Sequence, residues 1–270
     1  MDALLSPRRR TLLQALGAAA LVSGCGDWRG AAVAPSLEFR GPTMGSSYTV
    51  KIAGASRPTV GEAAIHDAAH GALDAIEAAM SAYRADSELS RFNAHASAAP
   101  YLMSADMYAV FALAQAVSAA TGGAFDITVA PVVDAWGFGP GRRQRVVAAA
   151  EVETLEARVG WRMLALDSAE RTVTKARPDL HADLSGIAKG YGVDKAALAL
   201  EALGIGDYMV EAGGEIRTCG RNAEGRPWQI AIERPDAVPQ QPHFIVPMSG
   251  QSLATSGDYR LDFEREGQRY

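Results

Sequence analysis

"HADLSGIAKGYGVDKAA" (residues 181–197) places a carboxylate, a glycine-bearing turn and a lysine where an apolar run gives way to helical spacing. Leu180 to Leu184 reads as a short strand, Ser185-Gly186 as a turn, and Ile187 to Leu203 as a helix stopped by Gly204. A helix that starts directly after such a turn aims its free N–H groups and its positive dipole end at whatever lies over the turn. Lys189 falls in the first helical turn, where a cation opposes the dipole unless an anion is close. Gly186 and Gly190 permit close approach of a ligand or a neighbouring backbone. Asp183 can accept hydrogen bonds from a sugar or base, or help order a divalent cation. Taken alone, the stretch is equally well explained by Ser185 as a plain N-cap, Asp183 as a dipole partner and Lys189 as a solvated side chain. Its glycines fit neither the P-loop nor the Rossmann spacing, so a nucleotide site here is of another kind.

The flanking sequence alternates between strand and helix signals. In "SSYTVKIAG" (46–54), Tyr48, Val50 and Ile52 share one face and Thr49 and Lys51 the other, which is strand periodicity. From Val60 to Tyr83 the apolar positions Ile65, Ala69, Ala72, Leu73, Ile76, Met80 and Tyr83 recur every three or four residues, as on an amphipathic helix. Ser104 is placed to cap a second helix, with Met107, Val110, Phe111, Ala114 and Val117 inward and Gly122 as its stop. A short helix is expected over 152–159, a hairpin over 163–175 turning at "DSAE", and strands near 208–211, 215–219 and 229–233. The class is α+β, with no internal repeat.

Residues 1–24 have the order of a secretory signal: Arg8, Arg9 and Arg10, an apolar run from Leu12 to Val22, then Ser23-Gly24 before Cys25. The run is shorter than the roughly 20 residues a membrane-spanning helix needs. Val22-Ser23-Gly24-Cys25 resembles a bacterial lipobox, so Cys25 is expected to carry a lipid anchor and 25–36 to be a tether, interrupted by Gly26, Gly30 and Pro35. Arg9-Arg10-Thr11-Leu12-Leu13 also fits a twin-arginine export signal. The expected location is the bacterial cell envelope, lipid-anchored and facing the periplasm or exterior. Without residues 1–24 the chain holds 23 basic against 30 acidic side chains, a net charge of −7 that speaks against nucleic-acid binding. Beyond Cys25 the only cysteine is Cys219, so neither an internal disulfide nor a cysteine-rich metal site is expected, and residues 37–270 must rest on an ordinary core.

Five stretches occur in order: "GPTMGSSYTV" (41–50), "MSAYRADSELSRFN" (80–93), "TGGAFDITVAPVVDAWGFG" (121–139), "DLSGIAKGYGVD" (183–194) and "LATSGDYR" (253–260). Together they resemble the ApbE family of flavin transferases. The resemblance implies mixed α/β lobes of the ApbE, T-fold-like type around a flavin nucleotide cleft. It also implies an enzyme that holds FAD with Mg²⁺, cleaves the pyrophosphate, and moves FMN onto a threonine or serine hydroxyl of an exported redox protein, releasing AMP. Position by position, Met44 in the "TMGSSY" strand and Tyr83 resemble the family's flavin contacts. Ala124, Phe125 and Asp126 correspond to the stretch beside the adenosine part. Asp183 and Lys189 match nucleotide contacts, and the Gly186 carbonyl takes the place of a backbone metal ligand. Glu211 to Glu215 and Thr255-Ser256-Gly257 read as site walls. Read singly, Met44 and Tyr83 are core filling at element ends, and Asp126 is a turn residue after Gly122-Gly123.

Family members are expected to continue past the equivalent of "GQRY" (267–270) with a histidine-bearing segment and a helix that supplies metal-holding side chains. His66, His70, His95, His181 and His243 do not stand in that motif. The resemblance therefore implies that the general base and the Mg²⁺-holding side chains lie outside these 270 residues. Two other functions share most of the motifs: an FAD pyrophosphatase in which water replaces the acceptor, and a flavin-binding lipoprotein without catalysis.

Overall fold

A computed structural model describes residues 36–54, 60–140, 143–235, 241–257, 262–265 and 267–270. The expected signal peptide, the cysteine expected to carry the lipid, and all of the expected tether but Ser36 lie outside the described residues. β1 (Leu37–Thr43) and β2 (Ser46–Ile52) pair antiparallel, and Tyr48, Val50 and Ile52 are buried as their alternation requires. Met44 and Gly45 join them at φ 46° and 71°. Two left-handed residues are the hairpin turn whose twist suits the flanking strands. Met44 thus sits in a turn and not in a strand. For a residue with a Cβ, that conformation costs about 1–2 kcal/mol.

α1 (Glu62–Met80) buries Ile65, Ala69, Leu73, Ile76 and Met80. Tyr83 does not extend that face, because the helix has ended and its ring is 69% exposed. Next come α2 (Glu88–Ala94), capped by Ser87, β3 (Tyr101–Leu102) and α3 (Ala105–Ala120). Ser104 Oγ accepts from the Met107 N–H at 3.3 Å, the expected cap, and Gly122 follows α3 at φ 64°. Met107, Val110, Phe111 and Ala114 are buried, but in the last turn Ser118 faces inward in place of Val117.

α4 (Ala130–Trp136) precedes α5 (Ala149–Glu156), which lies earlier than the expected 152–159. Its first turn is fixed by an ion pair from Arg145 to Glu151, and 157–159 tighten into i→i+3 turns before Gly160. β4 (Leu164–Asp167) and β5 (Thr172–Lys175) form the expected hairpin, in which Asp167 Oδ1 accepts from the N–H groups of Ala169 and Glu170. β3 pairs with the far side of β5.

No strand forms over 180–184. Leu180, Ala182 and Leu184 are buried alternately, which produced the strand signal, but the segment is held by one main-chain bond, from Asp183 N–H to the Ile127 carbonyl at 2.7 Å, and by a side chain. Asn93 donates through Nδ2 to the Ala182 carbonyl at 2.9 Å and accepts at Oδ1 from the Ala182 N–H at 2.8 Å. One amide side chain thus stands in for a strand partner. α6 (Ala188–Ala202) ends in a Schellman motif at Gly204, φ 78°, with Ile205 N–H donating to Leu200 and Gly204 N–H to Glu201.

The remaining strands are β6 (Tyr208–Ala212), β7 (Glu215–Cys219), β8 (Trp228–Glu233), β9 (Pro242–Met248), β10 (Ser252–Leu253), β11 (Glu264–Arg265) and β12 (Gln268–Arg269). The main sheet has the order β1-β2-β6-β7-β10. α1 and α6 pack against each other and against this sheet, burying Leu73, Ala196 and Leu200 with Tyr48, Val50 and Val210. The C-terminal end of α1 and the start of α6 continue into a second core with Phe92, Met107, Phe111 and Val173. The architecture is α+β, as the sequence implies.

Lys175 belongs to that second core at 1% exposure. Its ammonium donates to the carbonyls of Asn93 and His95 at 3.2 and 3.1 Å and lies 4.5 Å from the centre of the Phe92 ring. Burial nevertheless pushes its pKa down to about 8, with Asp179 acting in the opposite direction. The unfolded chain keeps the ordinary lysine value, so between about pH 8 and about 10.4 it binds more protons than the folded one, and stability gained from this group rises with pH. Urea unfolding of wild type and Lys175→Met across that window should show the rise in the wild type and its loss in the variant; parallel curves would contradict it.

Candidate functional site

Two main-chain features face each other at the edge of the main sheet. The first is the start of α6, whose N-cap residue Ile187 offers no side-chain cap. Ser185, Gly186, Lys189 and Gly190 are gathered there. Ser185 is not the N-cap; its N–H donates to Asp183 Oδ1 at 2.7 Å, which closes a tight Asx turn. The second is the β6–β7 turn, where Gly213 and Gly214 have φ of 56° and 94°, a left-handed pair that only glycine adopts without strain. Gly213 N–H donates to the Ser47 carbonyl, Gly214 N–H to Glu211 Oε1, and Thr255 Oγ1 donates to the Gly214 carbonyl.

Lys189 spans the two features, donating through Nζ to the Gly213 carbonyl at 3.2 Å. A Cβ on residue 213 would lie 3.2 Å from Lys189 Cδ, so the glycine gives the lysine its path. That carbonyl partly answers the question the sequence raises about a cation at a helix start. Beside the start of α6 is a cleft of about 230 Å³ whose walls include Gly186, Lys189, Tyr191, Asp194, Glu215 and Leu113. Tyr191 is held by its hydroxyl, which donates to Asp106 Oδ1 at 2.7 Å; Lys195 donates to the same oxygen at 3.0 Å. Burial first, and then that carboxylate, pushes the Tyr191 phenol up to about 12. Asp194 is paired to Arg217 at 3.0 Å. Burial raises the pKa of Glu215, and the positive charge of Lys189 draws it back.

Of the residues singled out from sequence, Gly186 and Lys189 line this cleft directly. Phe125 adjoins it, since a Cβ on residue 186 would meet its ring at 3.4 Å. Met44 reaches α6 from the other side: a Cβ on Gly192 would lie 3.0 Å from Met44 Cε, and the Met44 N–H donates to Glu77 Oε2 at 2.9 Å. Tyr83 stands past the C-terminal end of α1, with its hydroxyl donating to the Phe138 carbonyl at 3.1 Å. Ala124 is exposed. Asp126 is spent on the fold: Oδ1 accepts from the Thr128 N–H and hydroxyl, and Oδ2 from the Trp161 N–H. Asp183 keeps one carboxylate oxygen clear of the Asx turn. The cleft walls at Leu113, Tyr191 and Asp194 were missed. Leu113 is on the solvent side of α3 and gave no signal, whereas Tyr191 stood in the quoted motif, two positions after Lys189.

Among the described residues no group of three or more His, Cys, Asp or Glu side chains gathers to hold a metal ion. A single backbone carbonyl at Gly186 does not satisfy the six-coordinate shell of Mg²⁺. These residues by themselves do not fit that ion.

Fold and cleft together define an α+β protein with a groove beside a helix start, walled by one lysine and two carboxylates. The family model described as the ApbE family matches residues 44–270, and the chain belongs to that family. An FAD:protein FMN transferase of Haemophilus influenzae is 41% identical over 239 residues, 87% of this chain and 69% of the relative. One from Vibrio cholerae is 40% identical over 263 residues, 97% and 76% of the two chains. Among solved structures, the flavin transferase ApbE from Vibrio cholerae superposes with a TM-score of 0.77 at 41% identity, covering 86% of this chain and 74% of that one. The apbe protein of Thermotoga maritima gives 0.79 at 26% identity, with 87% and 75% covered.

The electrostatics of the cleft are directly testable. Lys189→Met removes the charge that draws the Glu215 carboxyl down, so the Glu215 midpoint should move up when followed by carboxyl-carbon NMR across a pH titration. An unmoved midpoint would show that the two groups do not sense each other.

Proposed function

We propose that this chain is an FAD:protein FMN transferase. The observation that carries the reading is the coincidence of family membership with a cleft at the matching motif, Gly186 to Lys189. In the reaction, a threonine or serine hydroxyl oxygen of the acceptor forms a bond to the FMN phosphorus. The bond from that phosphorus to the bridging oxygen breaks, AMP leaves with that oxygen, and the hydroxyl proton is released. Such a displacement depends on positioning and on compensating phosphate charge. The start of α6 and Lys189 would contribute a part of each.

A cleft of about 230 Å³ is below the range of roughly 300–1,000 Å³ usual for drug-sized ligands. It suits the diphosphate and its near surroundings; in this reading Phe125 and Tyr83, outside it, would meet the ring systems, and Met44 would do so only from the far side of α6. In this reading Asp183 accepts from the nucleotide through its remaining oxygen. Asp126 acts chiefly by holding the 124–128 turn in place beside the adenosine. Mg²⁺ belongs to the proposal through the family resemblance, and Gly186 would offer it one carbonyl. The acceptor is an exported redox protein, and the enzyme meets it from a lipid anchor at Cys25 in the cell envelope.

Hydrogen bonds to charged groups contribute about 1.5–3 kcal/mol, so Lys189→Ala should weaken FAD binding roughly tenfold or more. Equal affinity in a fluorescence titration would return Lys189 to the status of a fold residue. Incubation with FAD, Mg²⁺ and an acceptor domain separates the three readings: a flavin-fluorescent acceptor band in a gel marks the transferase, free FMN plus AMP a pyrophosphatase, and unchanged FAD a carrier. For the anchor, Cys25→Ser should move the protein from the membrane to the soluble fraction, and an unchanged partition would end the lipoprotein reading.

A further inference from the structure

Glu215 opens β7 immediately after the Gly213-Gly214 turn and lines the cleft with Lys189. Two residues further along the same strand, hence on the same sheet face, Arg217 bonds Asp194 and Glu201 of α6. That face therefore looks at α6, and Glu215 looks at its first turns. Its carboxyl accepts no hydrogen bond and forms no direct ion pair with any described residue, although the side chain is half-buried. The other charged groups around it are already committed. Asp194 of α6 is paired to Arg217, and on β6 Glu211 accepts from the Gly214 N–H. β10 brings Ser252 and Leu253, which carry no charge. Lys189 is the one charge left facing Glu215 among the described residues, and its ammonium is held by a single carbonyl, that of Gly213.

We propose that Glu215 is a positioning residue for Lys189, acting on the ammonium through its charge across the cleft and not by direct contact, and taking up one proton when a diphosphate enters. The inference rests on the flavin-nucleotide reading of the cleft and adds a proton to its binding step. An entering diphosphate brings negative charge next to Glu215 and draws the Lys189 ammonium onto its own oxygens. Both changes disfavour the carboxylate. Burial raises the pKa of Glu215 and the charge of Lys189 opposes it, so drawing the ammonium away leaves the effect of burial unopposed. By reciprocity, protonation of Glu215 must strengthen anion binding by the same factor as the anion strengthens protonation.

The test is calorimetric titration of the full chain with FAD and, separately, with ADP-ribose, a flavin-free diphosphate diester, in buffers of differing ionisation enthalpy. Wild type should take up a proton on binding either ligand, and its affinity should fall as pH rises, by at most about tenfold per pH unit, the limit for one linked proton. Glu215→Gln should bind without uptake and with a flat pH profile. Lys189→Gln, which keeps the carboxyl, should show reduced uptake because Glu215 is then protonated more fully beforehand. Equal uptake in wild type and Glu215→Gln, or none in wild type, overturns the proposal. Uptake with ADP-ribose but no binding of FAD keeps it and removes the flavin reading instead. Binding of neither ligand at any pH overturns both.

Discussion

The packing of α6 on α1 is the constraint on which the rest of the structure depends. The approach is close at Gly192, where a Cβ would lie 3.0 Å from Met44 Cε, 3.5 Å from Leu73 Cδ2 and 3.6 Å from Ile76 Cγ2. A side chain there would push the helices apart, and both cores would feel it, because α1 and α6 each contribute to the two hydrophobic clusters. Leu73 and Val193 belong to the cluster under the main sheet, and Ile76 and Ala188 to the other, with Met44 touching both. Interiors packed to crystal-like density transmit such a displacement and do not absorb it. The site inherits this rigidity, since Lys189 is one helical turn before Gly192.

The second constraint is the adjacency of two hairpin turns. β2 and β6 are neighbours with Tyr48 opposite Ala212, and Gly213 N–H donates to the Ser47 carbonyl. The β1–β2 turn and the β6–β7 turn therefore emerge at the same edge of the sheet, on the side where α6 begins. One is built from Gly213-Gly214 and carries the carbonyl that receives Lys189; the other is Met44-Gly45. A loop at this position could place the same groups only by paying ordering entropy each time a ligand bound, whereas a two-residue turn between paired strands is ordered beforehand.

Much of this was legible because it is periodic or punctuated. The faces of β2 and α1, the Ser104 cap, the 163–175 hairpin and the Gly204 stop follow from local chemistry that leaves residue-level marks. What failed was tertiary substitution for local structure. Leu180 to Leu184 has the burial of a strand, but its partner is Asn93, 89 residues away, and nothing near Ala182 announces that. Ser118 displaces Val117 from the core because α3 ends there and its last turn is set by neighbours, not by its own period. For the site, the motif residues were visible, but their commitments were not. Asp126 looks in sequence like a ligand-facing carboxylate, and three internal donors already use its oxygens. Glu215 looks like a wall, and only the committed state of Asp194 and Glu211 singles it out.

Met44 joins these arguments. A residue with a Cβ at φ 46° opposes the preference that makes glycine or asparagine usual at such a turn, and the structure offsets that strain with specific partners. Its N–H is held by Glu77 and its thioether lies against the bare backbone of Gly192. A glycine would relax the turn but leave the space at Gly192 unfilled, and a β-branched residue could not adopt the turn at all without greater strain. An unbranched, polarisable side chain meets both demands: it reaches over the helix and adapts its end to whatever lies there. The strain at Met44 is thus tied to the same close approach that fixes α6, and through α6 to the position of Lys189.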